Sequence, residues 1–470
     1  MVKDRQVFHP VFGKGILLSV RKSPIRLQTE CFVSFESGLK LWIPAYRLSG
    51  VDKELTQGIV KDGRVLKEEE LKIKAHRMIE AFRLGIVPAE DVSDFTFGRE
   101  VETKVIQKLL NNLKEGSGGA ILIEGSYGAG KSHFLEYIKS EALKQKALVS
   151  SVVLSTQETT PARPKRVYRD IIANLRYRKD NFLKPPSSGI FLETIEGGFR
   201  DLLFSAAKNY RAPDFLDMKE HIFWAPVLKQ LQRIEEDSYK AEVFWQWIEG
   251  ESTKEYAVGR YVHNKRIVMP YRISGGWRIP ALYDFSTAID FYCYLISGLS
   301  YLARKLNYSG LVLLMDEVET IAFHGNSFYY ERGTAFLDGL IKMAQNSPAL
   351  KSFNTQLIHN QVRPTPYIYK DSYVLLVLAS TPEPATMRFK SMVNAHIELE
   401  PLTAEHLSSC FEALLEYYKI AFPNVEILST TKRQILENAL KYHKAGVRYF
   451  LKYVVESLDT IRINRTFKFA

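Results

Sequence analysis

The segment Gly125-Ser126-Tyr127-Gly128-Ala129-Gly130-Lys131-Ser132 decides how the rest of the chain is read. It satisfies G-x-x-x-x-G-K-[ST] at every position. Each residue type has a physical reason to be there. Glycines let the backbone turn tightly and aim its N–H groups inward at phosphate oxygens. The helix that follows adds its positive end. Lys131 is placed to reach the outer phosphates of a nucleotide, and Ser132 to ligate Mg²⁺. Context supports this, because the apolar run AILIEG (Ala120–Gly125) predicts a buried strand before the loop and SHFLEYIKSEAL a helix after it. His133 lies in the first helical turn. It is grouped with the loop as a cofactor-binding candidate, read as packing and given no chemistry of its own.

Outward from the loop, a nucleotide hydrolase needs a carboxylate for the metal and a group that orients water. LVLLMDE (Leu311–Glu317) supplies both at the end of an apolar strand. Asp316 is the metal candidate and Glu317 the general base. YVLLVLASTPE (Tyr373–Glu383) predicts another buried strand, ending in Ser380 and Thr381, either of which suits sensing of the terminal phosphate. ALVSSVVLS (Ala147–Ser155) is a further strand. Uninterrupted apolar runs of this kind suit a parallel sheet covered on both faces. About 185 residues separate loop and carboxylates, which implies an insertion within residues 156–285. The expected fold is α/β, with a parallel P-loop sheet core over residues 96–400. A helical lid is expected over 401–470, a linker and helix over 51–95, and a small β-barrel over 1–50.

The order of phosphate loop, DE strand, ST-ended strand and helical lid resembles an AAA+ ATPase of the origin-initiator and STAND-type branch. Phe97-Gly98-Arg99-Glu100 resembles the GRE box of those proteins, which implies that Gly98 and Arg99 lie near the adenine. Ala445-Gly446-Val447-Arg448-Tyr449 resembles the second sensor, with Arg448 reaching back to the γ-phosphate. Over roughly residues 72–459, IEAFRLGIVP, FGRE, GSYGAGKSHFL, DEVET and RYFLKYVVESLD resemble the ATP-binding proteins of BREX bacteriophage-exclusion systems. That resemblance implies a cytoplasmic ATPase using ATP and Mg²⁺ in antiviral defence. It also implies DNA, other defence proteins and a homo-oligomer as candidate partners. Arg332 and Arg388 are the arginine-finger candidates. The alternative is a slow nucleotide-dependent switch that recruits protein partners without motor activity; a small-molecule phosphotransferase explains neither the sensor-like strand nor the lid.

Residues His9-Pro10, Phe12-Gly13, Gly15 and the VSFESG hairpin resemble SH3/Tudor-like modules, and five or so short strands are expected there. Bulk properties set bounds. With 470 residues, 46% apolar and 25% charged, the chain reads as a soluble globular protein of several domains. The net charge of +11 favours an acidic partner such as nucleic acid. RVYRDIIANLRYRKDNF and GRYVHNKRIVMPYRISGGWR interleave cations with aromatics, which reads either as phosphate neutralisation plus base stacking or as a solvated basic face with the aromatics in the core. Cys31, Cys293 and Cys410 are too few and too scattered for a disulfide framework or a zinc site, which points to a reducing compartment. The longest apolar run, FYCYLISGLSYLA (Phe291–Ala303), is too short to cross a bilayer and reads as a buried helix.

Overall fold

The four apolar runs become strands of one sheet, three of them inner and one at its edge. In the computed structural model, the described residues are 5–9, 13–22, 29–36, 40–44, 48, 68–179, 196–233, 239–251, 261–262, 265–266, 271–272, 278–279, 282, 289–323, 325–352, 365–441 and 446–464. The chain divides into two compact units. One gathers residues 1–100, 126–140 and 399–470; the other gathers 101–125 and 141–398.

The second unit holds the five-stranded sheet. Its strands are β5 (Gly119–Gly125), β6 (Leu148–Val153), β7 (Leu311–Asp316), β8 (Val374–Ser380) and β9 (Ala395–Leu399), in the order β9-β5-β8-β7-β6. The β5–β8, β8–β7 and β7–β6 registers are parallel. Every residue of β5 and β8 is buried, which is why neither run alternates polar and apolar residues. From β5 the chain continues to β6, on one side; from β8 it continues to β9, on the other. Neighbouring strands whose onward connections part in this way mark the crevice where open α/β sheets bind ligands, at their carboxyl ends.

Between β6 and β7 come helices α4 (Pro164–Ala173), α5 (Phe199–Asn209), α6 (Trp224–Leu231), α7 (Tyr239–Ile248) and α8 (Ile289–Lys305). The first belongs to the sheet layer, since the Ser150 hydroxyl on β6 donates to Ile171 O at 2.8 Å. The added segment therefore starts beyond it. The apolar run at Phe291–Ala303 is buried inside α8, as expected. Tyr168 and Tyr177 are also core residues, and the Tyr168 hydroxyl donates to Ile248 O. Of the two readings of RVYRDIIANLRYRKDNF, aromatics in the core is the one that holds for these two rings, since a buried ring has no face to offer a base. Most of GRYVHNKRIVMPYRISGGWR lies outside the described residues.

The first unit contains an antiparallel sheet, β1 (Arg5–His9), β2 (Gly13–Lys22), β3 (Thr29–Phe35) and β4 (Lys40–Pro44), in sequence order with a bulge between Leu17 and Ser19. Among the described residues these are four strands where five or so were expected, and the expected barrel is not seen among them. Helix α1 (Glu68–Arg83) packs with the C-terminal helices α10 (Ala404–Ala421), α11 (Ser429–Lys441) and α12 (Val447–Asn464). Met78, Ile79 and Phe82 on α1 are fully buried against residues such as Phe411, Leu414 and Val454. Each such side chain stabilises by about 1.5–3 kcal/mol. Arg83 on α1 donates to both carboxylate oxygens of Asp459 on α12, at 2.8 and 3.1 Å. Among the described residues no helix is long and apolar enough to cross a membrane. The three cysteines are free and buried, and burial pushes the Cys410 thiol up to about 12.

Candidate functional site

β5 ends at Gly125 and the loop starts at once. Gly128 and Gly130 take φ of +84° and +96°, backbone that side chains with a Cβ rarely adopt. Ala129 N donates to Ser126 O at 3.1 Å, and Phe134 N to Gly130 O at 2.9 Å, which opens helix α3 (Lys131–Lys144). The Lys131 ammonium reaches back to Ser126 O at 3.4 Å. Ser126, Tyr127, Gly128 and Ser132 are exposed. A Cβ built on Gly130 would meet nothing within 4 Å, so the loop leaves open space there. These are the properties of a phosphate cradle.

The loop's own unit braces it. Arg99, itself buried, donates through Nη2 to Ala129 O at 2.8 Å and to Glu400 O at 2.7 Å. One guanidinium thus ties the loop to the residue just ahead of the lid. The expectation places Arg99 near a base; here its guanidinium donates to two backbone carbonyls. Gly98 has φ +62°, and a Cβ there would fall 2.4 Å from the His406 ring. Gly446 meets the loop backbone to backbone, its Cβ position 3.6 Å from Gly128 O. The neighbouring Arg448 is exposed, with its stem over Gly85. Ala445 lies outside the described residues. His133 Nε2 lies 3.1 Å from the Thr96 hydroxyl. Burial and the Arg99 charge push its pKa down to about 4, so it packs as a neutral ring.

In the sheet unit, Gly125, Ser380 and Asp316 end β5, β8 and β7, which lie side by side in the sheet. Asp316 O accepts from Leu154 N at 3.0 Å, and Asp316 Oδ1 accepts from Glu317 N at 2.9 Å. Glu317 has φ +60°, a left-handed conformation that costs a non-glycine residue on the order of 1–3 kcal/mol. Strain of that kind concentrates at functional sites. The two hydroxyls proposed as sensors are engaged. Ser380 Oγ donates to Thr381 O at 2.7 Å and is fully buried. Thr381 Oγ1 donates to Glu319. Arg388 pairs with Asp338, and Arg332 lies over the Phe328 ring at 4.0 Å.

Two acids escaped the sequence reading. Glu319, three residues past Asp316, is buried; one oxygen accepts from Thr381 and the other has no hydrogen-bond partner among the described residues. Glu124, the last residue before the loop glycine, is buried too, with His396 Nε2 at 2.6 Å and Lys390 Nζ at 3.3 Å. A charged residue inside AILIEG was the available signal, because glutamate is seldom buried without partners.

Residues 72–196 match the family model described as "BREX system ATP-binding protein BrxC/D". No curated protein matches the chain. Among solved structures, AMPPCP-bound DnaA from Aquifex aeolicus is 12% identical with a TM-score of 0.30, covering 80% of this chain and 65% of its own. The chain thus spans less than two thirds of that protein, and a likeness this loose fixes no residue roles.

Proposed function

We propose that this protein binds ATP with Mg²⁺ and hydrolyses it to ADP and phosphate, as an AAA+-like member of a bacteriophage-exclusion system acting in the cytoplasm with DNA or DNA-bound partners. The observation that carries the reading is the carboxyl edge of the sheet, where Gly125, Ser380 and the Asp316-Glu317 pair close three adjacent strands. The family match over residues 72–196 spans the loop and supports it.

The residues suit the ligands. The open space at Gly130 and the amides of Ser126–Ser132 fit a phosphate chain. Mg²⁺ is ordinarily held by one or two carboxylates together with substrate phosphates. A hydroxyl at Ser132 and a carboxylate at Asp316 match that donor set, and Mg²⁺ there would neutralise charge on the phosphates. Lys131 neutralises charge on the outer phosphates. Glu317 takes a proton from the attacking water, and its constrained backbone fixes where its carboxylate starts.

Glu317→Gln tests this. Turnover is expected to fall by about 10²–10⁴-fold, the usual contribution of a general base, while ATP affinity stays within a few-fold. Unchanged turnover would remove Glu317 from the mechanism. A second reading, the nucleotide-dependent switch, is favoured by Arg99 alone: it couples Ala129 of the loop to Glu400 at the root of the lid. On that reading, turnover of the unaltered protein is slow and partner binding differs between ATP and ADP.

A further inference from the structure

Glu319 lies in the short helical turn Val318–Phe323 that follows β7 and is only 6% exposed. Its neighbours in the turn are apolar. Val318 and Ile321 are fully buried, and Ile321 packs against Gly333 of α9 (Ser327–Ala344), its Cδ1 3.3 Å from the position a Cβ would take there. Where the sheet unit needs only filling it uses such side chains, as at Ile106, Leu110 and Leu113 of α2 (Glu100–Lys114). A carboxyl group in such a setting is costly unless donors surround it. Among the described residues one donor reaches it, the Thr381 hydroxyl just past β8, while Oε2 is shut from solvent and has no hydrogen-bond partner. Packing alone gives no reason for an acid here.

The turn itself is pinned. Thr320 N and Thr320 Oγ1 donate to Glu317 O at 3.0 and 2.8 Å. Those bonds hold the carbonyl of a residue already at φ +60°. β7 and β8 are adjacent and parallel, so the turn reaches from the end of one to the end of the other. Proton direction then decides what Thr381 can do. A hydroxyl has one hydrogen to give and two lone pairs to accept with. Thr381 gives its hydrogen to Glu319, and Ser380 gives its own to Thr381 O at 2.7 Å. Neither hydrogen is left for a phosphate oxygen, which accepts. The lone pairs of Thr381 suit a group that donates, and water is one.

We propose that Glu319 is a positioning residue for hydrolysis: it makes the Thr381 hydroxyl an acceptor for the attacking water, so that Thr381 and Glu317 together orient that water. Glu319 exchanges no proton; the water's proton goes to Glu317. This role rests on ATP hydrolysis at the site, so Glu317→Gln is measured alongside. In the full-length chain, Glu319→Met and Thr381→Val replace the two partners by apolar side chains of similar size. Steady-state kcat and KM are measured together with the thermal midpoint. Each single substitution is expected to lower kcat about ten-fold with KM within a few-fold, and the double substitution to lower it no further. Thr381→Ser keeps the hydroxyl and is expected to restore the turnover that Thr381→Val loses. Thr381 is half-buried, and wild-type kcat in Thr381→Val overturns the proposal even if Glu319→Met does not fold. Wild-type kcat in Glu319→Met, losses that multiply in the double substitution, or a loss carried by KM also overturns it. With turnover lost in Glu317→Gln, such a failure leaves the hydrolysis reading standing. Turnover absent from the unaltered protein, or unchanged in Glu317→Gln, overturns both.

Discussion

At Gly98, one hydrogen in place of a methyl group separates a folded turn from a collision. The position combines φ +62° with a His406 ring 2.4 Å from any added Cβ. His406 also caps its own helix, lying 3.4 Å from Thr403 N, so the ring cannot simply swing away without losing that bond. Gly98→Ala is therefore expected to destabilise by about 1–3 kcal/mol in urea unfolding, the range for a strained backbone position. It should also weaken ATP binding, because Arg99 follows directly and holds Ala129. A variant with wild-type midpoint and affinity would show that the turn tolerates a side chain. At this scale the phosphate loop was legible, since its residue types are dictated by phosphate geometry. The engagement of Thr381 by Glu319 was not, because a strand-end hydroxyl gives no hint of a buried acid in the short helical turn after the neighbouring strand.

Elements were legible in proportion to how apolar they are. The three inner strands announced themselves as continuous hydrophobic runs, and the edge strand β6 as a mostly apolar one. The strand Ala395–Leu399 went unread, being a five-residue edge strand that alternates and carries His396 and Glu398. Strand order was out of reach for any local pattern, since it is set by long-range pairing. Within elements, two histidines make the fold sensitive to acid. His221 is fully buried and its Nδ1 lies 3.2 and 3.1 Å from the N–H groups of Phe223 and Trp224, at the start of α6. Burial pushes its pKa down to about 3, and burial with the Arg99 charge pushes His133 to about 4. Both folded values lie below the ordinary one near 6.5, so the unfolded chain binds more protons. Their stabilising effect is complete above about pH 6.5 and is lost as pH falls through the folded values. Asp459, held low against its own burial by Arg83 and Tyr418, acts in a lower window, below the usual carboxylate range. Unfolding free energy should thus decline between pH 7 and pH 5, with a shallower slope in His133→Gln. A flat profile, or an unchanged slope in the variant, would contradict the assignment.

Across the whole molecule, the phosphate loop groups with the N-terminal sheet and the C-terminal helices, while the strands on either side of β5 belong to the other unit. Sequence order alone suggested a linear series of modules. Chain contacts instead gather distant segments: α1 joins the lid through Arg83–Asp459, and Arg99 joins it through Glu400. Such pairings depend on tertiary packing and leave no periodic trace. The proposed chemistry depends on the loop gripping a triphosphate. Calorimetric titration of ATP and Mg²⁺ into the unaltered protein and Lys131→Ala, each shown to be folded, tests that most directly. Stoichiometric binding is expected for the former and a loss of at least about ten-fold for the latter, in line with removal of a charge-assisted phosphate contact. Equal affinity in the two proteins would contradict the assignment of this loop as the nucleotide site.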